Sequence, residues 1–150
     1  MKTKPEFRDL DRAQCMALLT KAHVGRIAFT FHDRVDIEPV NYVCVGEWIY
    51  LRTSAGTKLQ TLAHHPWVAF EVDEAKAAFD WQSVVVHGTM HQFAESGTAR
   101  DHEHRERAIA ALRTISPTLF TDDDLAPHRT FICGISVNEI TGRSATSHQL

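Results

Sequence analysis

The feature that most constrains this chain is a succession of short strand-like segments without regularly alternating helices. After His23, Ile27, Phe29 and Phe31 alternate with less apolar residues, the period-two pattern of a half-buried strand. Because β-α-β alternation is missing, the pattern predicts an antiparallel barrel, mainly β or α+β, instead of a doubly wound parallel sheet. Further strand-like segments, bounded by turn residues, occupy residues 35–45, 47–53, 67–72, 82–93 and 129–140.

Three helices are predicted to flank this sheet. The first begins with a capping box at Asp11, and apolar residues follow at helical spacing. The second follows Gly56, and the third is charged and alanine-rich, as in a solvated surface helix. Pro39, which has no backbone N–H, is expected at a strand edge or a bulge. The three helices are predicted over residues 11–21, 57–64 and 97–114.

Length and composition limit the possible functions. A chain of 150 residues fits one domain, residues 1–150, and 43% hydrophobic with 23% charged residues is typical of a globular protein. The net charge of -3 and the lack of a basic run argue against a nucleic-acid partner. No segment approaches the roughly 18 apolar residues of a membrane span, so we expect a cytoplasmic protein with no membrane partner. Three widely spaced cysteines are expected to be buried, reduced thiols: Cys15, Cys44 and Cys133.

A glycine-containing turn between a strand and a helix is the strongest candidate for a binding site. Arg52 and Thr53 end the strand, and Thr57 and Lys58 begin the helix. The first N–H groups of a helix are unpaired and carry partial positive charge, so this turn favours a phosphate, to which the cations and hydroxyls would add. The same residues also fit an ordinary capped helix with surface cations, and the spacing of a Walker A loop is absent.

Two other segments could line such a site. An antiparallel arrangement would set residues 39–42 beside the phosphate turn, where their backbone and the Asn41 side chain could face a planar ring. Residues 81–83 combine an aromatic ring with two hydrogen-bonding side chains at the start of an apolar strand. Taken alone, the first segment is an edge strand, and Trp81 is equally suited to anchor a core or an interface.

Histidines and aspartates do not form a convincing metal site. His64 and His65 are adjacent and would point apart on a helix, and His102 and His104 are two residues apart and would not share a helical face. Both pairs are therefore expected on the surface and not around a metal ion. His23 and His87 fall on predicted strands, where we expect satisfied core or groove histidines, with haem ligation as the alternative. The run Asp122-Asp123-Asp124 fits a helix cap or a solvated loop. No metal is predicted.

In order and spacing, these segments resemble the pyridoxamine 5'-phosphate oxidase-like split-barrel proteins. The resemblance runs from about residue 9 to residue 93, and a weaker match follows near the C-terminus. The segments that carry it are GRIA at 25–28, EPVNY at 38–42, IYLRT at 49–53, GTKL at 56–59, VAFEVD at 68–73 and WQSVVVHG at 81–88, with VNEITGR at 137–143 as the weaker match.

The resemblance implies a six-stranded antiparallel split β-barrel with flanking helices, a homodimer, and FMN in the groove between the subunits. The cofactor's phosphate or ribityl chain would contact Arg52, Thr53, Thr57 and Lys58. The isoalloxazine would be flanked by Pro39, Val40, Asn41 and Tyr42. The partner chain would contribute Trp81, Gln82 and Ser83, with Arg143 as an additional contact.

Three functions follow from the resemblance. The first is an FMN-dependent oxidoreductase that moves hydride between flavin and a small organic substrate, such as a nitroaromatic or a quinone. Because the cofactor carries this chemistry, no catalytic side chain is predicted. The alternatives are a deazaflavin-dependent reductase of the same fold and a non-catalytic protein that binds flavin or haem. Residues 97–114 and 117–127 are expected to cover the groove and select the substrate; the C-terminal SATSHQL gives no reason to expect vitamin B6 synthesis.

Overall fold

The computed structural model describes the backbone of residues 3–149 and the side chains of residues 4–56 and 59–147. In that part of the chain, eight strands form one antiparallel sheet, and three helices flank it. In chain order the elements are β1 Thr3–Leu10, α1 Arg12–Lys21, β2 Val24–Phe31, β3 Arg34–Asn41, β4 Val43–Val45, β5 Trp48–Thr53, α2 Thr57–His64, β6 Trp67–Ala77, β7 Asp80–Gln92, α3 Ala99–Leu112 and β8 Phe131–Gln149.

The sheet follows the order β3-β2-β6-β7-β8-β5-β4, and β1 pairs with β8 beside this path. The two ends of the path, β3 and β4, do not pair with each other, so the barrel is split. The predicted mainly β fold with flanking helices is therefore confirmed, although the described residues contain eight strands and not the predicted six. Pro39 lies on β3, an edge strand, as expected.

One strand-like segment, residues 35–45, was predicted as continuous but is two strands. β3 ends at Asn41, and the backbone N–H of Tyr42 donates to the carbonyl of His23 (3.0 Å). The next three residues form β4 and pair with β5. The chain crosses from one end of the sheet to the other at Tyr42, a change of pairing partner that apolar alternation does not reveal.

The N-terminal and C-terminal strands were underestimated from the sequence. β1 was not predicted, and β8 continues to Gln149 instead of ending near residue 140. The two strands pair from Thr3 with Gln149 to Leu10 with Gly142. Both segments are polar and largely exposed, so they lack the apolar alternation by which a strand is recognised.

The barrel core contains side chains from α1 and from most of the strands. Buried residues of α1, such as Leu19, pack among those of the sheet, such as Ile27, Phe70 and Ile135. A second cluster joins α3 to β5 and β8, so the predicted surface helix has one buried face and one exposed face. Among the described residues, the three cysteines are buried thiols that form no disulfide bond, as predicted. None of the described helices is long and apolar enough to cross a lipid bilayer.

Candidate functional site

In the turn between β5 and α2, none of the described side chains caps the N-terminus of α2. Its N-cap residue is Gly56, which has no side chain, whereas α1 and α3 each begin with a complete capping box. The first helical hydrogen bond runs from the N–H of Gln60 to the carbonyl of Gly56 (3.1 Å). A Cβ atom added at Gly56 would meet nothing within 4 Å, so there is open space beside this helix terminus. The predicted phosphate contacts of the Thr57 and Lys58 side chains lie outside the described residues.

The guanidinium of Arg52 is held by a carboxylate from a distant part of the chain. Both terminal nitrogens donate to Asp124 at 2.8 Å, and the two side chains are only 10% and 2% exposed. Asp124 also accepts the backbone N–H groups of Phe120 and Ala126, each at 3.0 Å. Arg52 and these amides hold the pKa of Asp124 well below its usual range. A phosphate at Arg52 would have to compete with this pair, so the geometry gives Arg52 a positioning role.

Asp124 was missed as a partner because it lies 72 residues from Arg52, and no local pattern connects the two. Its side chain is buried, so the expectation of a solvated loop or helix cap is wrong for this residue of the aspartate run. Nearby, Phe120 has a φ of 60°, in the left-handed region that favours glycine. The Phe120 ring lies against Arg52 (5.8 Å) and Arg105 (5.6 Å). These contacts fasten the connection between α3 and β8 to β5.

The segment predicted to flank a flavin ring divides between the core and the surface. Tyr42 is fully buried: its hydroxyl donates to the carbonyl of Leu19 (2.7 Å), and its ring packs edge-on against Phe70 (4.8 Å). Burial raises the pKa of Tyr42 far above its usual value. Val40 also packs against the core, whereas Pro39 and Asn41 are exposed. The Tyr42 side chain therefore serves the core and not an open ring-binding surface.

Pro39, Ser83 and Arg143 lie on the side of the sheet opposite the barrel core, which we call the outer sheet face. Arg26 on β2 pairs with Pro39 on β3 at one side and with Glu71 on β6 at the other. Ser83 on β7 pairs with Arg143 on β8. Ser83 donates to Glu71 (3.0 Å), which also lies 3.5 Å from Arg26. This small polar network joins three strands, which is why sequence analysis missed it.

Burial raises the pKa of Glu71, and the neighbouring carboxylate of Asp73 raises it further. Arg143 is exposed, with its Nε atom 3.7 Å from Asp9. The indole N–H of Trp81 donates to the carbonyl of Ala78 (3.1 Å), and Trp81 and Gln82 line a shallow cavity of about 130 Å³. Since β7 and β3 are separated in the sheet by β2 and β6, residues 81–83 and residues 39–41 of the chain lie apart on the sheet.

Asn41 and Arg52 both line a cavity of about 300 Å³, which we call the α3 cavity. It lies between the end of β3, the C-terminal end of α3 and the connection that follows α3. Its walls combine apolar side chains with a few polar ones, chiefly Leu112, Ile115, Leu119, His23 and Arg129. Residues of α3 and of the connection after it, which are expected to cover the groove, line this cavity.

Of the four histidines expected on the surface, one is buried. His104 is buried; its Nδ1 atom lies 2.8 Å from the Tyr50 hydroxyl, and its ring stacks on Phe93 at 4.5 Å. It belongs to the buried stripe of α3 with residues four and eight positions later, so the expected surface histidine is a core residue. Burial lowers its pKa. His23 and His87 are exposed in this chain, and no group of three metal-ligating side chains occurs among the described residues.

The split barrel, with a helix that begins at Gly56 directly after β5, is the fold expected of the pyridoxamine 5'-phosphate oxidase-like proteins. The model of the pyridoxamine 5'-phosphate oxidase family matches residues 11–144, and the chain belongs to that family. The resemblance inferred from the sequence is thereby confirmed.

Three known proteins illustrate the similarity. An uncharacterized protein of Rhizobium meliloti is 26% identical over 151 residues, covering 95% of this chain and 98% of that protein. A crystal structure of an FAD-binding protein from Mesorhizobium loti has a TM-score of 0.74 at 22% identity, covering 95% of this chain and 99% of that one. The FAD binding protein from Mycobacterium smegmatis has a TM-score of 0.65 at 25% identity, covering 95% and 100%.

Proposed function

We propose that this protein is a flavin-binding oxidoreductase, in which the 5'-phosphate that FMN and FAD share lies at the N-terminus of α2. The observation that carries the proposal is the glycine N-cap of α2: among the described residues, no side chain caps the first-turn N–H groups, and none fills the space beside the glycine. Family membership and the similarity to FAD-binding structures support a flavin as the ligand. FMN, the cofactor implied by the sequence, and FAD offer the same phosphate to this site.

Different residues of the chain are proposed to bind the phosphate and the ring of the flavin. The amides of α2 hold the phosphate, and Lys58 contributes a full positive charge to it. Arg52, already paired with Asp124, fixes the end of β5 from which the turn leaves. Pro39 and Asn41 present an exposed edge to the ring, and Tyr42 supports that edge from the core. The bound flavin supplies hydride transfer to or from a small organic substrate.

We propose a homodimer as the working form. Val35, Ile37 and Trp67 are 71%, 68% and 66% exposed, and strand pairing places them on the outer sheet face near Pro39. A cluster of exposed apolar side chains of this kind marks an interaction surface. A second copy of the chain is the partner that fits, because β2 and β6 separate residues 81–83 from β3 within one chain, and a second chain would bring its own residues 81–83 to a flavin beside β3.

The cofactor is tested by the absorption spectrum of the purified protein, followed by titration with FMN, FAD, a deazaflavin and haem under the same conditions. We expect a flavin spectrum or saturable binding of FMN or FAD, and reoxidation of the reduced flavin by a nitroaromatic or a quinone. Binding of haem or the deazaflavin, with no binding of either flavin, would overturn the proposal. If the protein binds flavin but the reduced flavin is not reoxidised by any acceptor, the proposed oxidoreductase activity is refuted and the protein is a flavin carrier.

The dimer is tested by light scattering on Ile37→Glu, with Leu125→Glu as the control because Leu125 is a 91% exposed apolar residue on the loop after α3. We expect Ile37→Glu to be a folded monomer with weakened flavin binding, and Leu125→Glu to remain dimeric. A monomeric wild-type protein, or an Ile37→Glu variant that is as dimeric as the control, would refute this interface.

A further inference from the structure

We propose that the α3 cavity binds a small aromatic carboxylate, held with its ring among apolar side chains and its anionic group toward Arg129. This inference rests on the proposed function, because it assigns a class of substrate to the same site. The cavity lies beside Asn41, whose strand presents the edge proposed to face the flavin. A ligand in this cavity would therefore sit next to the cofactor without occupying the phosphate turn.

The size and walls of the cavity suit one ring. Its volume is about 300 Å³, roughly twice that of a protein cavity that accommodates benzene. Leu112 and Leu119 are buried to 3% and 1% exposure, and together with Ile115 they provide an apolar wall. A single substituted ring fills such a space, whereas a three-ring flavin with its ribityl phosphate is too large. The occupant is thus a substrate and not the cofactor.

The charges around the cavity favour an anion. Of the described residues that line it, none is acidic, and two are arginines. Arg52 is neutralised by Asp124 and also donates to the carbonyl of Ala126 (3.3 Å), so it has little capacity left for a ligand. Arg129 is exposed and makes no ion pair with a described side chain, while His23 and Asn41 add hydrogen-bonding groups. A carboxylate is the anionic group that a guanidinium binds with matched geometry.

The experiment measures the binding of benzoate and of its neutral analogue benzamide by calorimetry, with the protein both free of and saturated with flavin. Two variants address the two halves of the proposal. Ser116→Trp fills the cavity, and Thr114→Trp is its control because Thr114 is exposed and does not line the cavity. Arg129→Gln removes the cation, and Arg100→Gln is its control because it removes one exposed arginine at the other end of α3.

We expect benzoate to bind the wild-type protein more tightly than benzamide. Ser116→Trp should weaken both ligands by about tenfold or more, and Arg129→Gln should weaken benzoate alone by about tenfold, the effect of losing one charged hydrogen bond. The controls should match the wild type.

Absence of benzoate binding, equal binding of both ligands, or equal effects of the variants and their controls would overturn the inference even if flavin binds normally. Conversely, a protein that binds benzoate as expected but fails to bind flavin would refute the proposed function and leave the α3 cavity as a ligand site.

Discussion

Replacing Tyr42 with phenylalanine separates a structural role for this residue from a role in binding the cofactor. The Tyr42 hydroxyl donates to the carbonyl of Leu19 at 2.7 Å, and Leu19 lies in the last turn of α1, where carbonyls have no following helical N–H to accept. Both groups are fully buried. Tyr42→Phe keeps the edge-on ring contact with Phe70 and removes only the hydrogen bond.

The expected cost follows from that one contact. A lost hydrogen bond that leaves a buried carbonyl unpaired costs about 1–2 kcal/mol. In a domain of this size, such a loss lowers Tm by about 2–8 °C. Thermal unfolding followed by circular dichroism measures this shift, and an FMN titration of the same variant measures cofactor affinity. We expect a lower Tm and an unchanged affinity. An unchanged Tm, or a weakened FMN affinity in a fully folded variant, would refute the assignment of Tyr42 to the core.

Three further predictions concern the frame around the site. Asp124→Asn should be less stable than the wild type at pH 7. Since Arg52 lowers the folded-state pKa of Asp124, the stabilisation is fully present above the unfolded pKa of about 4 and is lost progressively as the pH falls toward the lowered folded-state pKa. Urea denaturation should therefore show a smaller difference between the two proteins at pH 3 than at pH 7, and an equal difference at both pH values would count against the ion pair. Gly88→Ala should lower the urea midpoint by the equivalent of about 1–3 kcal/mol, because its Cβ would collide with the backbone carbonyl of Ser136; a wild-type midpoint would contradict this packing. Thiol reagents should modify the native protein only as fast as it unfolds, since the cysteines are buried and burial raises the pKa of Cys44 to about 11; rapid modification of any of them would disagree with their placement (Cys15, Cys44 and Cys133).

The sequence predicted those parts of the structure that local patterns encode. The capping box at Asp11 and the helix after Gly56 both form as expected, because each depends on residues close together in the chain. Where an element depends on its partner, prediction was weaker. The polar strand β1 exists because it pairs with β8, and the break at Tyr42 exists because β3 and β4 pair with different strands.

At the candidate site too, the features encoded by neighbouring residues were predictable, and those that depend on distant partners were not. The uncapped turn at Gly56 could be read from the sequence, because a strand, a glycine and a helix follow one another directly. The engagement of Arg52 by Asp124 and the burial of His104 against Tyr50 could not, since the partners are 72 and 54 residues apart. Residue types in a motif indicate which groups can bind a ligand, but tertiary pairing decides which of them are free to do so.

The central claim is that the flavin phosphate binds at the N-terminus of α2. It is tested most directly by the ratio of the dissociation constants of riboflavin, which lacks the phosphate, and FMN, measured for the wild type, Lys58→Ala and the control Lys76→Ala. We expect the wild type and the control to bind FMN at least about tenfold more tightly than riboflavin, and Lys58→Ala to lose about tenfold in FMN affinity with no change for riboflavin. Equal affinities of the wild type for FMN and riboflavin, or equal ratios for Lys58→Ala and Lys76→Ala, would contradict the claim.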